Sequence, residues 1–133
     1  MINKMIVKTI PLLPKSLVYV FAKKYIAGPD LQDAVKETKE LEKKGGMTTI
    51  DVLGEFVETK DGALHEKGMC LAVLDAIKEH NLPTYLSVKP TSLGLGIDLD
   101  FAYDNISELA AKAKDLGIFM RLDMENSPYT DKT

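Results

Sequence analysis

Cysteine is almost absent from this chain: Cys70 is the single one among 133 residues. One thiol makes neither a disulfide framework nor a CxxC metal or redox pair, and a reducing, cytoplasmic setting fits it best. Histidine is scarce as well. His65 and His80 fall on one expected helix at no ligand spacing, so no metal centre is expected. An excess of basic residues is also missing. Seventeen Lys and Arg stand against 20 Asp and Glu, giving a net charge of −3 and a pI near 5.4. Such a balance leaves no electrostatic footprint for nucleic acid. Long apolar runs are lacking too. The most apolar stretch, residues 10–22, is interrupted by Pro11, Pro14 and Lys15 and falls short of the roughly 20 residues a spanning helix needs. No small-residue cleavage site follows it, so a signal peptide is not expected.

What is present is enough for one modest core, at 14.7 kDa and 45% hydrophobic. Residues 16–26 read as a helix with Leu17, Val18, Val20, Phe21 and Tyr25 on its apolar face. A packing role is expected there; Lys15, Lys23 and Lys24 leave an interfacial membrane anchor as the lesser alternative. Gly28 and Pro29 stop that helix and Asp30 caps the next, whose apolar positions are Leu31, Ala34, Val35, Thr38 and Leu41. The charges from Lys36 to Lys44 are expected to form its solvated face, and Gly45 closes it.

From Met47 the apolar period changes from about 3.6 to 2. Residues 48–55 read as a strand, then residues 61–80 as a helix with Leu64, Leu71, Leu74 and Ile77 inward. Within that helix Cys70 is expected in the core, and Gly68 should cost roughly 1 kcal/mol relative to Ala. Asn81 and Pro83 end it. A second strand covers residues 84–89, a third helix residues 99–116 with Gly117 as its cap, and a third strand starts at Phe119. Strand and helix alternating in this way predict parallel β/α units, in a doubly wound sheet or a barrel.

The charges favour the barrel. Side chains on a strand alternate between faces. In the last strand Met120, Leu122 and Met124 share one parity, while Phe119, Arg121, Asp123 and Glu125 share the other. The earlier strands repeat this, with Ile50 and Val52 against Asp51, and Leu86 and Val88 against Lys89. If strands adjacent in sequence are adjacent in space, Lys89 lies between Asp51 and Asp123 at the C-terminal mouth, where barrel active sites are built. Using such charges only to hold strands together would be expensive, because apolar pairs do the same at lower cost. The glycine-rich stretch Gly94-Leu95-Gly96 has Leu99 in place of the last glycine of a dinucleotide fingerprint, and is expected as a flexible loop over that mouth.

Three segments carry a resemblance: Thr49-Ile50-Asp51-Val52-Leu53-Gly54-Glu55, Ser87-Val88-Lys89-Pro90-Thr91-Ser92-Leu93-Gly94, and Arg121-Leu122-Asp123-Met124-Glu125. In order and spacing they resemble the signature segments of the proline dehydrogenase family. That resemblance implies a distorted (β/α)8 TIM-type barrel that binds FAD and oxidises L-proline to Δ1-pyrroline-5-carboxylate in proline catabolism, with electrons passing to a membrane quinone. It implies Lys89 at the substrate carboxylate, Asp123 as the active-site aspartate and Met124 as a flavin contact. Asp51 and Glu55 match the family's first motif without an assigned role. Hydride chemistry belongs to the flavin, so the protein's task is to place the substrate's ring C–N bond against it.

A full barrel takes about 250 residues, and only three βα units are legible here. On the resemblance, residues 1–29 are an N-terminal helical arm and residues 30–133 the first part of a truncated barrel. The family's paired arginines and most flavin contacts are expected in the missing half, so turnover by this chain alone is not expected. Three parallel strands would leave open edges suited to self-association. A non-catalytic half-barrel that assembles with another chain is therefore the alternative, and a different flavin- or phosphate-binding barrel a third reading. The setting would be cytoplasmic, at most peripheral to the inner membrane.

Overall fold

The computed structural model describes residues 27, 28 and 30–133, so the helix expected over residues 16–26 lies outside the described residues. The elements are α1 Leu31–Glu42, β1 Thr48–Asp51, α2 Lys60–Glu79, β2 Thr84–Val88, α3 Leu99–Leu116 and β3 Met120–Leu122. Short 3-10 turns follow β2 at Pro90–Leu93 and β3 at Ser127–Tyr129. The strands form one parallel sheet in the order β1-β2-β3, which makes the chain an α/β fold.

Local chemistry explains where the helices begin and end. Asp30 stands at the α1 N-terminus with extended backbone, and its N–H donates to the Asp33 carboxylate at 3.4 Å. Thr59 Oγ1 accepts from the Gly62 N–H at 3.1 Å at the start of α2, and Asp98 Oδ1 accepts from Phe101 N–H at 3.1 Å at the start of α3. Each satisfies an amide that the first helical turn leaves without a partner. Gly117 closes α3 in the left-handed region at φ 70°, and Asn81 turns the chain after α2 at φ 48°.

One core lies between the sheet and the two long helices. Leu86 and Val88 of β2 meet Cys70, Val73, Leu74 and Ile77 of α2 and Leu109 and Ala113 of α3. Leu74, Leu86 and Leu109 are fully buried, which is worth about 1.5–3 kcal/mol for each side chain. Around the rim, Lys67 pairs with Glu108 at 2.6 Å and Lys112 with Asp75 at 2.7 Å, linking α2 to α3. No helix among the described residues is long and apolar enough to cross a membrane.

Three expectations need correction. β1 stops at Asp51 and does not run on to Glu55. Its continuation leaves the sheet where Gly54 lies against the Glu66 side chain so closely that a Cβ would sit 2.8 Å from the carboxylate. Phe56 then turns through φ 53°. The apolar parity of the last strand does not all pack on helices: Leu122 and Met124 are 42% and 62% exposed, since no described element covers them. Finally, the stretch around Gly94 is not a loose loop. Leu93 and Leu95 are buried, Asn105 Nδ2 donates to the Leu93 carbonyl at 3.0 Å, and Gly94 at φ 104° makes the turn beneath the Phe101 ring.

Candidate active site

β2 is the middle strand, and its two faces do different work. Leu86 and Val88 point to the helices, so Tyr85, Ser87 and Lys89 project from the opposite face. The register sets Asp51 and Arg121 on either side of Ser87. One step further along, the Asp123 N–H donates to the Val88 carbonyl at 2.9 Å, which carries the β3 backbone up beside Lys89. The charged residues thus collect at the C-terminal ends of three neighbouring strands.

Within this group the charges divide into two sets. The Lys89 ammonium donates to Asp51 Oδ2 and lies 3.8 Å from Glu55 Oε1. Its side chain is only 17% exposed. The Asp51 hydrogen bond raises the Lys89 pKa above the ordinary lysine value against the opposing effect of burial, so the ammonium stays charged. Asp123 belongs to the other set. Arg121 Nε donates to Asp123 Oδ1 at 2.6 Å, and Ser87 Oγ donates to Asp123 Oδ2 at 2.7 Å. These two donors, the guanidinium first, hold the Asp123 carboxyl below the usual range. Arg121 is itself placed by Tyr85, whose hydroxyl lies 3.2 Å from Nη1 and whose ring centroid lies 5.6 Å from the guanidinium carbon. Phe119 packs edge-on against the same ring, with centroids 5.3 Å apart.

Lys89, Asp51 and Asp123 therefore share one mouth, but Lys89 does not bridge the two aspartates. Asp51 stands opposite Ser87, one step below Lys89, and the long lysine side chain reaches back to it. Asp123 acts on Lys89 only through space, because Arg121 and Ser87 already occupy its oxygens. Met124, two residues past the end of β3, is largely exposed at the rim. Cys70 is core: burial pushes its thiol up to about 12, so it offers no thiolate at neutral pH. Among the described residues no group of three or more His, Cys, Asp or Glu is placed to hold a metal ion.

Two further participants, Thr91 and Glu125, lie in the signature segments without a role expected for either, and Glu125 was expected only as one of the charged parity of the last strand. Glu125 Oε2 accepts the Thr91 N–H at 2.8 Å and its Oε1 accepts the Thr91 hydroxyl at 2.5 Å. Thr91 Oγ1 in turn accepts the Phe56 N–H at 3.2 Å. Parity held the clue, since Thr91 continues the alternation of Ser87 and Lys89, and Glu125 that of Arg121 and Asp123.

A family model described as proline dehydrogenase matches residues 34–133, which spans every strand and all three of the charged segments. The chain belongs to the proline dehydrogenase family. It is 33% identical to proline dehydrogenase 2 of Bacillus subtilis over 114 residues, covering 86% of this chain and 38% of that protein. Proline dehydrogenase 1 of the same organism is 32% identical over 112 residues, covering 84% of this chain and 37% of the relative. Proline dehydrogenase of Deinococcus radiodurans is 28% identical over 124 residues, or 91% of this chain and 40% of the relative. The chain thus spans about two fifths of the length of the curated relatives it matches.

Proposed function

We propose that this chain supplies the first part of a proline dehydrogenase site, with residues 30–133 as the opening βα units of a barrel and residues 1–29 as an arm. Lys89 receives the carboxylate of L-proline, and Asp123 lies beside the ring nitrogen. The observation that carries this reading is a shielded, fully charged ammonium at the end of the middle strand, with an ionised carboxylate held separately on the next one. An ammonium offers a point charge and several donors to a carboxylate. A fixed negative charge favours a nitrogen that becomes positive as a hydride leaves its neighbouring carbon.

The residues present fit part of a flavin site. Met124 is an uncovered apolar side chain at the rim, directly after Asp123, and suits contact with a flat ring. FAD, when bound, supplies the two-electron acceptor that turns the ring amine of proline into the imine of Δ1-pyrroline-5-carboxylate. Tyr85 and Phe119 wall the mouth from below and Arg121 keeps Asp123 ionised. Delivery of the electrons to a membrane quinone would bring the assembled enzyme to the cytoplasmic side of the inner membrane.

The test is the visible spectrum of the purified chain after FAD is added and free cofactor removed, alone and together with a polypeptide carrying the rest of a proline dehydrogenase barrel. Flavin retained and bleached by L-proline in the mixture supports the reading. In that assembly Lys89→Ala should raise the KM for proline about a hundredfold, the loss of a charged hydrogen bond of roughly 3 kcal/mol. An unchanged KM removes Lys89 from the substrate.

A second reading, a half-barrel that assembles with another chain and has no catalysis of its own, is favoured by the edges. Among the described residues β1 and β3 each pair on one side only, and a cavity of about 230 Å³ opens between α3 and Leu122. This reading requires oligomers in size-exclusion chromatography with light scattering, and a stable monomer counts against it.

A further inference from the structure

Alternate residues after the middle of β2 make a regular pattern across the mouth. Ser87 donates to Asp123 at 2.7 Å and Thr91 donates twice to Glu125, at 2.5 and 2.8 Å. Each rung contains a hydroxyl-to-carboxylate bond from the β2 segment to the β3 segment, and the Thr91 rung adds a bond from its backbone N–H. Lys89 stands between these two rungs and turns the other way, to Asp51 on β1. On the β3 side Asp123 is in register with Lys89, and Glu125 is two positions on, as far from Lys89 as Asp51 is, yet neither bonds its ammonium.

The upper rung is the tighter one. Thr91 is fully buried, and both of its donors go to a single carboxylate, as a bidentate pair. Its oxygen also accepts the Phe56 N–H, so one side chain ties together the segments that follow β1, β2 and β3. Lys89 is two residues before Thr91, and Asp123 two residues before Glu125. A shift of either segment would move the ammonium or the carboxylate by a comparable distance.

We propose that Thr91 and Glu125 are positioning residues of this mouth: their bidentate bond holds the segment after Lys89 in place and occupies the β3 carboxylate, which leaves the lysine ammonium aimed at Asp51. The functional weight of this arrangement rests on the reading of Lys89 as the carboxylate-binding group. The geometry of the rung does not depend on it. Thr91→Val keeps the shape but removes the hydroxyl, freeing one oxygen of Glu125 and orphaning the Phe56 N–H. Glu125→Gln keeps the shape and removes the charge. Thr91→Ser restores the hydroxyl.

The experiment reads Lys89 itself in the existing chain. Trace acetylation with acetic anhydride at pH 8, mapped by peptide mass spectrometry, compares Lys89 with the other lysines of the same molecule. The deprotonated amine is the reactive form, so each unit by which the lysine pKa falls raises its rate roughly tenfold. Lys89 should be the slow lysine in the wild type. It should react about tenfold faster in Glu125→Gln, which loosens the segment and adds no carboxylate, and less so in Thr91→Val, where the freed Glu125 carboxylate offsets part of the loosening; Thr91→Ser should return to the wild-type rate. Amide exchange of the β2 strand separates this from unfolding: faster labelling with unchanged strand protection supports positioning. Unchanged labelling of Lys89 in both variants, or recovery absent in Thr91→Ser, overturns the proposal. Because nothing in the assay depends on proline or flavin, failure of the proline dehydrogenase reading would appear in the bleaching experiment and not here.

Discussion

Removing the partner of Lys89 should cost stability in a way that depends on pH, and Asp51→Asn is the cleanest perturbation. Two carboxylates face the ammonium. Glu55 is 3.8 Å away, a separation worth about 4 kcal/mol at an effective dielectric of 20 before desolvation and side-chain entropy. Its side chain is 47% exposed, however, and pairs of that kind retain at most about 1 kcal/mol. Asp51 makes the direct hydrogen bond to a side chain only 17% exposed, and charged hydrogen bonds of that kind contribute about 1.5–3 kcal/mol. Asparagine keeps one acceptor, so Asp51→Asn should cost about 1–2 kcal/mol at pH 7. The sign of the pH dependence follows from Lys89. Its folded pKa is raised, chiefly by Asp51, so the contribution is complete below the unfolded value of about 10.4 and is lost as pH rises through the folded value. The gap between wild type and variant should therefore stay level from about pH 6 to 9 and narrow progressively above about pH 10.4. Urea unfolding followed by circular dichroism measures it, with the midpoint moving and the slope constant. A gap below about 0.5 kcal/mol at pH 7, or one that persists undiminished at pH 11, would refute the assignment of Lys89 to Asp51.

Three further outcomes are expected. Leu74→Ala empties a fully buried position between α2 and the sheet and should cost about 2–5 kcal/mol in the same urea assay; a cost under about 1 kcal/mol would mean the core is not packed as described. Asp123→Asn should change the acid limb. The Asp123 carboxyl is held below its usual range by Arg121 and then Ser87, so its contribution is complete above the unfolded value near 3.9 and is lost as pH falls through the folded one. Wild type should accordingly lose its advantage over the variant progressively as pH falls below about 4, and parallel acid-unfolding curves would exclude the pairing. Cys70, with its thiol pushed up to about 12, should react with a disulfide reagent at pH 8 roughly a hundredfold more slowly in the native chain than in urea. Fast native labelling would place it outside the core.

The helices were legible because their signals are local. Period, caps and breakers lie within a few residues of one another: Asp30 before Leu31, Asn81 after α2, Gly117 after α3. The strands were legible as alternation, and their boundaries less so. Residues 48–55 keep a strand-like pattern, but the chain leaves the sheet after Asp51 where Gly54 meets Glu66, twelve positions away and on another element. The site was half legible. Parity brought Asp51, Lys89 and Asp123 to one face, and the family resemblance singled out the same positions. Which aspartate takes the lysine was not visible, because the answer depends on Arg121 and Ser87 having already taken Asp123. The Gly94 turn misled for a similar reason: its glycines suggest a loose loop, whereas the leucines beside them are buried against α3.

By itself the sequence determined the succession of βα units, most of the apolar positions that form the core, the charged parity at the strand ends and membership of the proline dehydrogenase family, although Leu41, Leu64, Leu122 and Met124 are exposed. Each is carried by residues close in the chain or by ordered motifs. Tertiary structure alone decided the parallel register, the division of the charges into a Lys89–Asp51 set and an Arg121–Asp123–Ser87 set, and the Thr91–Glu125 rung. Apart from Arg121 and Asp123, which are two residues apart, those are choices among partners more than 30 residues apart, such as Thr91 and Glu125 at a separation of 34. A carboxylate has few lone pairs to share, so each pairing is settled by which donors reach it first in space.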